Sequence, residues 1–398
     1  MIAEDGRRYI DGNGSWWVSN LGHQHPRLVS ALKDQADRMC HVSLAGITHE
    51  PAEALAEALV SIAPDGLEHV FFTDDGSTAV EVAVRMALQY HQQTGHPGRN
   101  RFIALEGAFH GETVTAASLS DMPVFHRSLS CIAFDCDHIP SPGTDESSSL
   151  MALSDILDEK GETIAALIIE PLVQGAGGML MHSPRFLREA RRLTHEHGVL
   201  LIADEVFVGY GRTGSMWACE QAVITPDILC TAKGFTGGML PMAATLATDT
   251  LYQAFIDKKD KKPSRTLLYG HSFCGNPLGC AVALEVLRIY AEEGVLDGVP
   301  ERAAILQAGM ENLAAIHGVS NVRRTGLIAA VDLPPRQEQG YQDPVGWQVY
   351  NEALKCGAYL RPLGNVLYFV PALNIPVHVL KELIDIAVAS VTKVIGAK

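Results

Sequence analysis

Short apolar runs alternate with longer amphipathic segments through the middle of the chain. The apolar runs predict strands at 69–74, 102–105, 165–170, 199–204 and 227–233. Helices are predicted at about 77–93 and from Ser183-Pro184 to Gly198, because Ser favours the N-cap, Pro the first helical position and Gly the helix end. Strands that are apolar on both faces and separated by helices are typical of an α/β fold with a mainly parallel sheet.

The pattern differs after about residue 290. Helices are predicted at 301–316 and 345–357 and strands at 326–333 and 366–370, which indicates a smaller α+β domain. We therefore divide the chain into an N-terminal segment of the small lobe (1–45), a large ligand-binding domain (46–288) and a C-terminal small domain (289–398). Segments rich in polar residues, Pro and charge predict solvated loops at 137–149 and 257–265.

Composition narrows the possible functions. The 398 residues carry a formal net charge of −15, which argues against a nucleic-acid partner or an anionic membrane surface. No apolar run reaches the ~18 residues that a membrane span needs, and the N-terminus is polar. The eight cysteines lack metal-binding spacing, and Cys131, Cys230 and Cys280 in apolar stretches predict reduced, buried thiols. We therefore expect a cytoplasmic protein without a membrane or nucleic-acid partner.

Two polar residues follow neighbouring apolar runs. Asp204 ends the run 199–204, where its carboxylate either caps the following turn or keeps a pyridine nitrogen protonated. Lys233 ends the run 227–233 before a glycine-rich turn, where it is either a surface lysine or a desolvated amine suited to Schiff-base chemistry. Their occurrence at the ends of successive strands favours the chemical interpretation for both.

Two further segments supply weaker signals. Gly76-Ser77 lies between a predicted strand and a strong helix, where backbone N–H groups form a phosphate site or Ser77 is an ordinary N-cap. Phe109 follows the strand 102–105, where its ring stacks on a planar ligand or packs in the core. Together these residues predict a phosphate cradle, a stacking ring, an acid and an amine along one sheet.

The chain resembles the class III aminotransferases, which have the fold-type I architecture. The resemblance rests on motifs spread over most of its length: Phe109-His110-Gly111, Glu170-Pro171, Asp204-Glu205, GYGRTG (209–214), Lys233 and GNPL (275–278). It implies pyridoxal 5′-phosphate as the cofactor, held covalently by Lys233, with Asp204 at the pyridine nitrogen.

The same resemblance implies further cofactor contacts. Gly76 and Ser77 would bind the phosphate, and Phe109 and His110 would contact the ring. The segment 269–273 resembles the stretch that reaches over the phosphate of a partner subunit, which implies that His271 and Ser272 act across the interface of a homodimer. The active sites would then lie between subunits.

One branch of the class is most similar, the enzymes that transfer an amino group from S-adenosylmethionine to 8-amino-7-oxononanoate in biotin synthesis. The similarity lies in DGNGSWWVSNLGHQHP (11–26), AGITHEPA (45–52), the run from PDILC through Lys233 to GFTGG, and RPLGNVLYFVP (361–371). It implies an apolar wall at Trp16 and Trp17 and an arginine, Arg361, for the distant carboxylate. It also implies substrate contacts from Phe109, Arg212, Gly270 and Tyr368. From the residues alone, core packing and a surface salt bridge remain alternatives for the tryptophans and Arg361.

The sequence departs from this branch in places. Phe109 stands where the branch often has Tyr, and Glu112 where Asp is common. The branch usually carries a few dozen residues before the hairpin DGRRYIDG, which occupies 5–12 here. The alternative functions are another class III aminotransferase that uses an ω-amine with pyruvate or 2-oxoglutarate, and a pyridoxal-phosphate-binding protein without transaminase activity. A decarboxylase, racemase or mutase is a further alternative, and lysine could replace S-adenosylmethionine as the donor.

Overall fold

The computed structural model describes residues 1–257, 264–336 and 341–396, so most of the predicted loop 257–265 lies outside the described residues. The chain divides into two compact units. The larger unit comprises Ser30–Gly209 and Trp217–Leu287, and the smaller unit comprises Met1–Val29, Tyr210–Met216 and Arg288–Lys398.

This division differs from the predicted one in two larger places, and the last boundary lies one residue earlier, before Arg288. Residues after Val29 belong to the larger unit, where the segment around Cys40 and His49 bonds residues 275–276. The turn 210–216 belongs to the smaller unit, because the backbone of Arg212 accepts the N–H of Leu327 and its side chain bonds Asn20. Neither contact has a signature in the hydrophobic pattern.

The larger unit is built on one central sheet. Seven strands from the described ranges form it in the spatial order Leu67–Thr73, Ala243–Thr248, Ile228–Thr231, Leu200–Asp204, Ile164–Ile169, Arg101–Leu105 and Asp137–Ile139. Ala243–Thr248 is antiparallel to both neighbours, and the other neighbouring pairs are parallel. The predicted α/β fold with a mainly parallel sheet is therefore confirmed.

Both faces of the sheet are buried. Phe102 and Ala104 belong to one apolar cluster, whereas Ile103 and Leu105 belong to a second, as expected when successive side chains of a strand point to opposite faces. The helices of this unit are Glu50–Ile62, Gly76–Gln93, Val114–Leu119, Pro123–His126, Glu146–Lys160, Pro184–Glu196, Ala218–Ala222 and Asp249–Gln253. Short 3₁₀ turns lie at Arg127–Leu129, Gly161–Thr163 and Lys233–Thr236. Val173–Gln174 and Leu180–Met181 form a small separate hairpin.

The smaller unit has an α+β architecture, as the pattern after residue 290 predicted. Its antiparallel sheet has the order Ser320–Thr325, Ile328–Asp332 and Val366–Phe369, and Ile10–Asp11 pairs in parallel with Ala358–Tyr359. Its helices are Val299–Ala314, Pro344–Lys355 and Val377–Gly396, with a left-handed helical turn at Gly14–Trp17. Helices Pro26–Arg38 and Pro277–Glu292 run across the sequence boundaries between the units.

Three sequence expectations need correction. The segment 137–149 is not a loop throughout, because Asp137–Ile139 is a sheet strand with Ile139 fully buried and a helix begins at Glu146. The N-cap of helix Gly76–Gln93 is Asp75, whose carboxylate accepts the N–H of Thr78, so Ser77 is not the cap. Cys131 is exposed, whereas Cys230 and Cys280 are buried and every cysteine, all within the described ranges, is a free thiol.

Other expectations agree closely with the structure. Ser183 caps helix Pro184–Glu196 by accepting the N–H of Phe186, and Gly198 follows the helix with a φ of +64°. In the part of the chain that the structure describes, no helix is both long and apolar enough to cross a membrane.

Candidate active site

The predicted site residues of the larger unit gather at one edge of the central sheet. Four neighbouring parallel strands end there, and each is followed by a polar or aromatic candidate: Lys233, Asp204, Glu170, and the pair Phe109-His110. The carboxyl ends of parallel strands are the common location of ligand sites in such sheets. The sequence prediction placed Asp204 and Lys233 on adjacent strands, and Leu200–Asp204 does pair with Ile228–Thr231.

Asp204 is bonded from two directions. Its Oδ2 lies 2.8 Å from Nδ1 of His110, and its Oδ1 accepts the N–H of Val206 at 3.1 Å. Asp204 is 5% exposed and His110 3% exposed, so the pair is almost fully shielded from water. His110 is itself held by its backbone N–H, which donates to Ser120 at 2.8 Å. A negative charge is thus kept in a fixed orientation at the sheet edge.

Lys233 begins the 3₁₀ turn that follows strand Ile228–Thr231, and its φ is +45°. Burial lowers the pKa of its amine below the ordinary value of 10.5, while the charges of Asp204 and Glu170 oppose the shift. The turn is closed by Thr236, whose hydroxyl donates to the carbonyl of Lys233 at 2.8 Å. A lysine with a lowered pKa is more often neutral at neutral pH and so can act as a nucleophile or base.

Glu170 is a third carboxyl group of this cluster, and the sequence analysis gave it no role beyond its motif. It accepts the N–H of Phe109 at 3.1 Å and that of Gly175 at 2.8 Å. Burial raises the pKa of its carboxyl group to about 7, an effect strengthened by Asp204 and opposed by His110. The signal that could have revealed it is a glutamate directly after the fully apolar strand Ile164–Ile169.

The residues of the predicted phosphate cradle lie in the first turn of helix Gly76–Gln93. Its N–H groups lack intrahelical carbonyl partners, as at every helix start. A Cβ on Gly76 would lie 2.8 Å from Cγ1 of Val206, so this position tolerates only glycine without a shift of Val206. The hydroxyl of Ser77 accepts the N–H of Glu112 at 3.2 Å, and Gly111 packs against Ser77 with a φ of +134°.

Phe109 is partly exposed and lies among other rings. Its ring is nearly parallel to that of His126, with centroids 5.8 Å apart, and meets Phe125 edge-on at 5.7 Å. The hydrogen bond from the backbone N–H of Phe109 to Glu170 fixes the backbone from which this side chain extends. A partly exposed aromatic ring anchored in this way can stack on a planar ligand.

The segment 269–274 has three exposed residues, Gly270, Ser272 and Phe273, beside the partly buried His271. Nδ1 of His271 lies 2.8 Å from Oδ2 of Asp74, and its Nε2 lies 2.9 Å from the hydroxyl of Tyr269. Nε2 is therefore hydrogen-bonded within this chain, and Nδ1 lies beside a carboxylate of the same chain. Gly270 and Ser272 are exposed, so Ser272 is the candidate of this segment that has its side chain facing solvent.

Arg361, in the smaller unit, lies in an aromatic frame. Its guanidinium carbon is 4.1 Å from the ring centroid of Trp16 and 5.8 Å from those of Tyr341 and Trp347, and the hydroxyl of Tyr341 accepts an N–H of Arg361 at 2.8 Å. Trp16 is 55% exposed. The sequence analysis missed Tyr341 and Trp347, because they precede Arg361 by 20 and 14 positions in a different element.

The other predicted substrate residues of this unit are buried. Trp17 packs edge-on against Tyr368 with ring centroids 6.2 Å apart, and burial raises the pKa of the Tyr368 hydroxyl to about 12. Arg212 is fully buried, and its terminal nitrogens donate to Asn20 and to the carbonyl of Pro371. Burial lowers the pKa of Arg212 to about 10, so the guanidinium stays charged at neutral pH. The structure therefore separates the exposed Trp16 and the partly buried Arg361 from these buried residues.

The larger unit contains the donor set that pyridoxal phosphate requires. A buried, oriented carboxylate (Asp204) suits a protonated pyridine nitrogen, an amine with a lowered pKa (Lys233) suits a Schiff base, and a helix N-terminus suits a phosphate. One buried atom supports the fit further: Nε2 of His110 makes no hydrogen bond to any described residue. We conclude that the residues present fit this cofactor.

Comparison with known proteins agrees with this geometry. The profile of the family described as aminotransferase class-III matches residues 1–391. A protein from Synechococcus elongatus, named adenosylmethionine-8-amino-7-oxononanoate aminotransferase, is 44% identical over 381 residues, which cover 93% of this chain and 88% of that protein. The crystal structure of an enzyme with the same name from Methanocaldococcus jannaschii superposes with a TM-score of 0.93 at 32% identity, covering 98% of this chain and 90% of the other.

A second solved structure adds information on the cofactor. It is an amine transaminase from an uncultivated Pseudomonas species in a PLP-bound form, with a TM-score of 0.90 and 30% identity over 98% of this chain and 92% of the other. The family profile spans nearly the whole chain, and both solved structures have the fold-type I architecture that the sequence predicted. The chain belongs to the class III aminotransferases.

Proposed function

We propose that this chain transfers an amino group from S-adenosylmethionine to the ketone of 8-amino-7-oxononanoate and so forms 7,8-diaminononanoate for biotin synthesis, with pyridoxal phosphate held by Lys233. The names of the similar proteins support the reaction. The observation in the structure that carries the choice of acceptor is Arg361, a guanidinium framed by Trp16, Tyr341 and Trp347.

The cofactor end of the reaction rests on the larger unit. When bound, pyridoxal phosphate supplies an electron sink that stabilises negative charge on the substrate carbon. Asp204, oriented by His110, would keep the pyridine nitrogen protonated. The first turn of helix Gly76–Gln93, with Ser77, would hold the phosphate.

Lys233 moves the proton in this proposal. Its amine would be free to act at this edge of the sheet whenever it does not hold the cofactor. The lowered pKa leaves that amine neutral for a larger part of the time, so it would serve as the base that takes a proton from the substrate carbon and as the acid that gives the proton back. Asp204 and Glu170 provide the negative charges that stabilise the ammonium while it carries the proton.

The acceptor end of the reaction rests on the smaller unit. A guanidinium pairs with a carboxylate through two parallel hydrogen bonds, and the stacked Trp16 ring limits how Arg361 can turn. The exposed face of Trp16 offers an apolar surface to the carbon chain that leads from the ketone to the carboxylate. Pyruvate lacks such a chain and would gain nothing from this face.

We also propose a homodimer in which Ser272 reaches the phosphate of the partner subunit. Ser272 is exposed, and the segment that carries it includes the large apolar side chains of Leu268 and Phe273, which are 83% and 61% exposed. Exposed apolar side chains at this density favour burial against another chain. Light scattering on the purified protein should give twice the chain mass, and Ser272→Ala should weaken cofactor binding without altering that mass.

A direct assay tests the proposed reaction. Protein reconstituted with pyridoxal phosphate is incubated with 8-amino-7-oxononanoate and either S-adenosylmethionine or lysine, and 7,8-diaminononanoate is detected by mass spectrometry. Lys233→Ala is the inactive control. Because a similar structure is that of an amine transaminase, parallel reactions pair an ω-amine with pyruvate or 2-oxoglutarate. Turnover only in those parallel reactions would overturn the proposed acceptor, and no turnover in any reaction would favour a binding protein without transaminase activity.

A further inference from the structure

The segment Asp11–Gly14 lies between two segments of the C-terminal part of the smaller unit. The N–H of Gly12 donates to the carbonyl of Tyr359 at 2.9 Å, and the carbonyl of Gly12 accepts the N–H of Val370 at 2.8 Å. A Cβ on Gly14 would lie 2.7 Å from the carbonyl oxygen of Val370, so the fit is tight on this side. The segment thus connects the chain before Arg361 to the chain after Tyr368.

The side chain of Asn13, within this segment, also bonds both parts of the chain. Its Oδ1 accepts the backbone N–H of Arg361 at 2.6 Å, and its Nδ2 donates to the backbone carbonyl of Tyr368 at 3.3 Å. Asn13 is 1% exposed, so neither bond competes with water. One buried amide therefore sets the position of the backbone of Arg361 relative to that of Tyr368.

The backbone of Asn13 holds the tryptophan pair. Its carbonyl accepts the N–H of Trp17 at 3.1 Å. Ser15, Trp16 and Trp17 all have positive φ angles of 47°, 60° and 74°, which residues with a Cβ disfavour. The carboxylate of Asp11 compensates by accepting the N–H and hydroxyl of Ser15, at 2.7 and 3.0 Å, and the N–H of Asn13 at 3.0 Å.

We propose that Asn13 is a positioning residue that determines specificity for an acceptor with a distal carboxylate. Asn13 touches both the turn that carries Trp16 and the segment that carries Arg361, so it fixes the 4.1 Å stacking of the guanidinium on the indole ring. This inference rests on the proposed function, because it assigns the stacked pair to the carboxylate end of the acceptor. Asn13 lies within the paired-tryptophan motif that begins at Asp11, but the motif alone assigns it no role.

The test uses two substitutions and one matched control. Asn13→Leu keeps the branched shape of the side chain and removes both side-chain hydrogen bonds, and Asn13→Ala removes them without a bulky replacement. The control is Asn365→Ala, which removes an amide of the same unit that donates to the carbonyl of Leu333 at 3.1 Å and has no bond to the tryptophan turn or Arg361. The rate at which S-adenosylmethionine alone converts the cofactor, followed by absorbance, shows whether each variant is folded and loaded.

The readout is binding rather than turnover. Isothermal titration of the cofactor-free protein with nonanoate and with neutral nonanamide measures the preference for a carboxylate. We expect the unmodified chain and Asn365→Ala to prefer nonanoate, and both Asn13 variants to bind nonanoate about tenfold more weakly with unchanged nonanamide binding. Equal weakening of both ligands, or no change in either, would overturn the role of Asn13.

The outcomes separate this role from the proposed function. If the unmodified chain does not prefer nonanoate, the carboxylate site and the role of Asn13 are both overturned. If it prefers nonanoate, the Asn13 variants lose that preference, and 8-amino-7-oxononanoate is nevertheless not aminated, then the proposed function fails while the positioning role of Asn13 is supported.

Discussion

Nδ1 of His110 lies 2.8 Å from Oδ2 of Asp204, and both side chains are almost entirely shielded from water. The two residues are 94 positions apart in the chain. A carboxylate in such surroundings must be paired, and the N–H at Nδ1 of His110 donates to one of its oxygens. Nε2, on the opposite side of the imidazole ring, takes no part in this hydrogen bond. The relationship fixes the orientation of the acid on which the cofactor assignment depends.

Replacement of His110 should impair catalysis more than cofactor loading. In His110→Phe, Oδ2 of Asp204 loses its side-chain donor, a loss that costs about 1–3 kcal/mol for a buried polar group. We expect kcat to fall roughly ten- to a hundredfold. The measurement is kcat under saturating cofactor, together with the dissociation constant for pyridoxal phosphate.

His91→Phe is the matched control for that substitution. His91 is another buried histidine of the larger unit, and its Nε2 lies 2.9 Å from the carbonyl of Ala165. An equal loss of kcat in the two variants would mean that His110 acts only through general stability. An unchanged kcat in His110→Phe would remove its assigned role.

The glycine at position 76 should be essential for the phosphate cradle. In Gly76→Ala the new Cβ would meet Cγ1 of Val206 at 2.8 Å, so Val206 or the helix start must shift. Val206 also donates to Asp204, so the shift would extend to the pyridine end of the site. We expect the dissociation constant of pyridoxal phosphate to rise roughly tenfold, in line with the cost of overpacking a well-packed position.

Gly98→Ala separates this steric effect from a general effect of alanine. A Cβ on Gly98 meets no atom within 4 Å. Titration of cofactor-free protein with pyridoxal phosphate should give the parental dissociation constant for this control. Parental affinity in Gly76→Ala as well would show that the turn does not hold the phosphate.

Glu205 should make the free energy of unfolding depend on pH. Its buried carboxyl group accepts the N–H groups of Ala218 and Cys219 at 2.9 and 2.8 Å, and burial raises its pKa from 4.5 to about 7. Between pH 4.5 and about 7 the folded chain therefore keeps a proton on Glu205 that the unfolded chain has already released. The stability that this proton provides is present below pH 4.5 and is lost as the pH rises through that window.

Glu205→Gln tests this dependence, because the amide cannot titrate. Denaturant unfolding at several pH values should show the parental chain losing up to a few kcal/mol relative to the variant as the pH rises, since one pKa unit is worth about 1.4 kcal/mol. Glu162→Gln, at a side chain that is 90% exposed, should follow the parental curve. A constant difference between the parental chain and Glu205→Gln would contradict the raised pKa.

The large sheet could be predicted from the sequence because its strands are buried on both faces. Ile164–Ile169 and Leu200–Asp204 are continuous apolar runs, and Ser183 and Gly198 mark the ends of the helix between them. Strand Ala243–Thr248 escaped prediction because its alanines and threonines lack a distinct pattern. The sequence predicts a loop at Asp137–Ile139 because its polar side chains do not follow a strand pattern, whereas in the structure Arg101 and Lys160 bond Asp137 and satisfy it within the strand.

The candidate site was predictable only where its residues follow strands in sequence. Asp204 and Lys233 end apolar runs, so their meeting at the sheet edge followed from the fold. The frame around Arg361 did not, because Tyr341 and Trp347 reach it through tertiary packing and Trp16 through a left-handed turn. A pattern of hydrophobic and polar positions contains no signal for either.

Arg361 should govern the acceptor and not the donor. In Arg361→Ala the guanidinium that would bind the distal carboxylate is gone, and the Trp16 face loses the charge stacked 4.1 Å above it. We expect KM for 8-amino-7-oxononanoate to rise roughly ten- to a hundredfold, as for the loss of a charge-assisted hydrogen bond. The half-reaction with S-adenosylmethionine alone should keep its parental rate, because the donor does not use this carboxylate site.

Two further variants define what Arg361 contributes. Arg361→Lys retains the charge without the planar fork, so its KM for the acceptor should lie between those of the parental chain and Arg361→Ala. Arg324→Ala removes an arginine of the same unit that bonds Gln307 and Gly326, and should leave both half-reactions unchanged. Steady-state kinetics for the acceptor and single-turnover kinetics for the donor measure the two half-reactions separately. An equal loss of activity in both half-reactions of Arg361→Ala would show that this arginine supports the fold and does not anchor the acceptor.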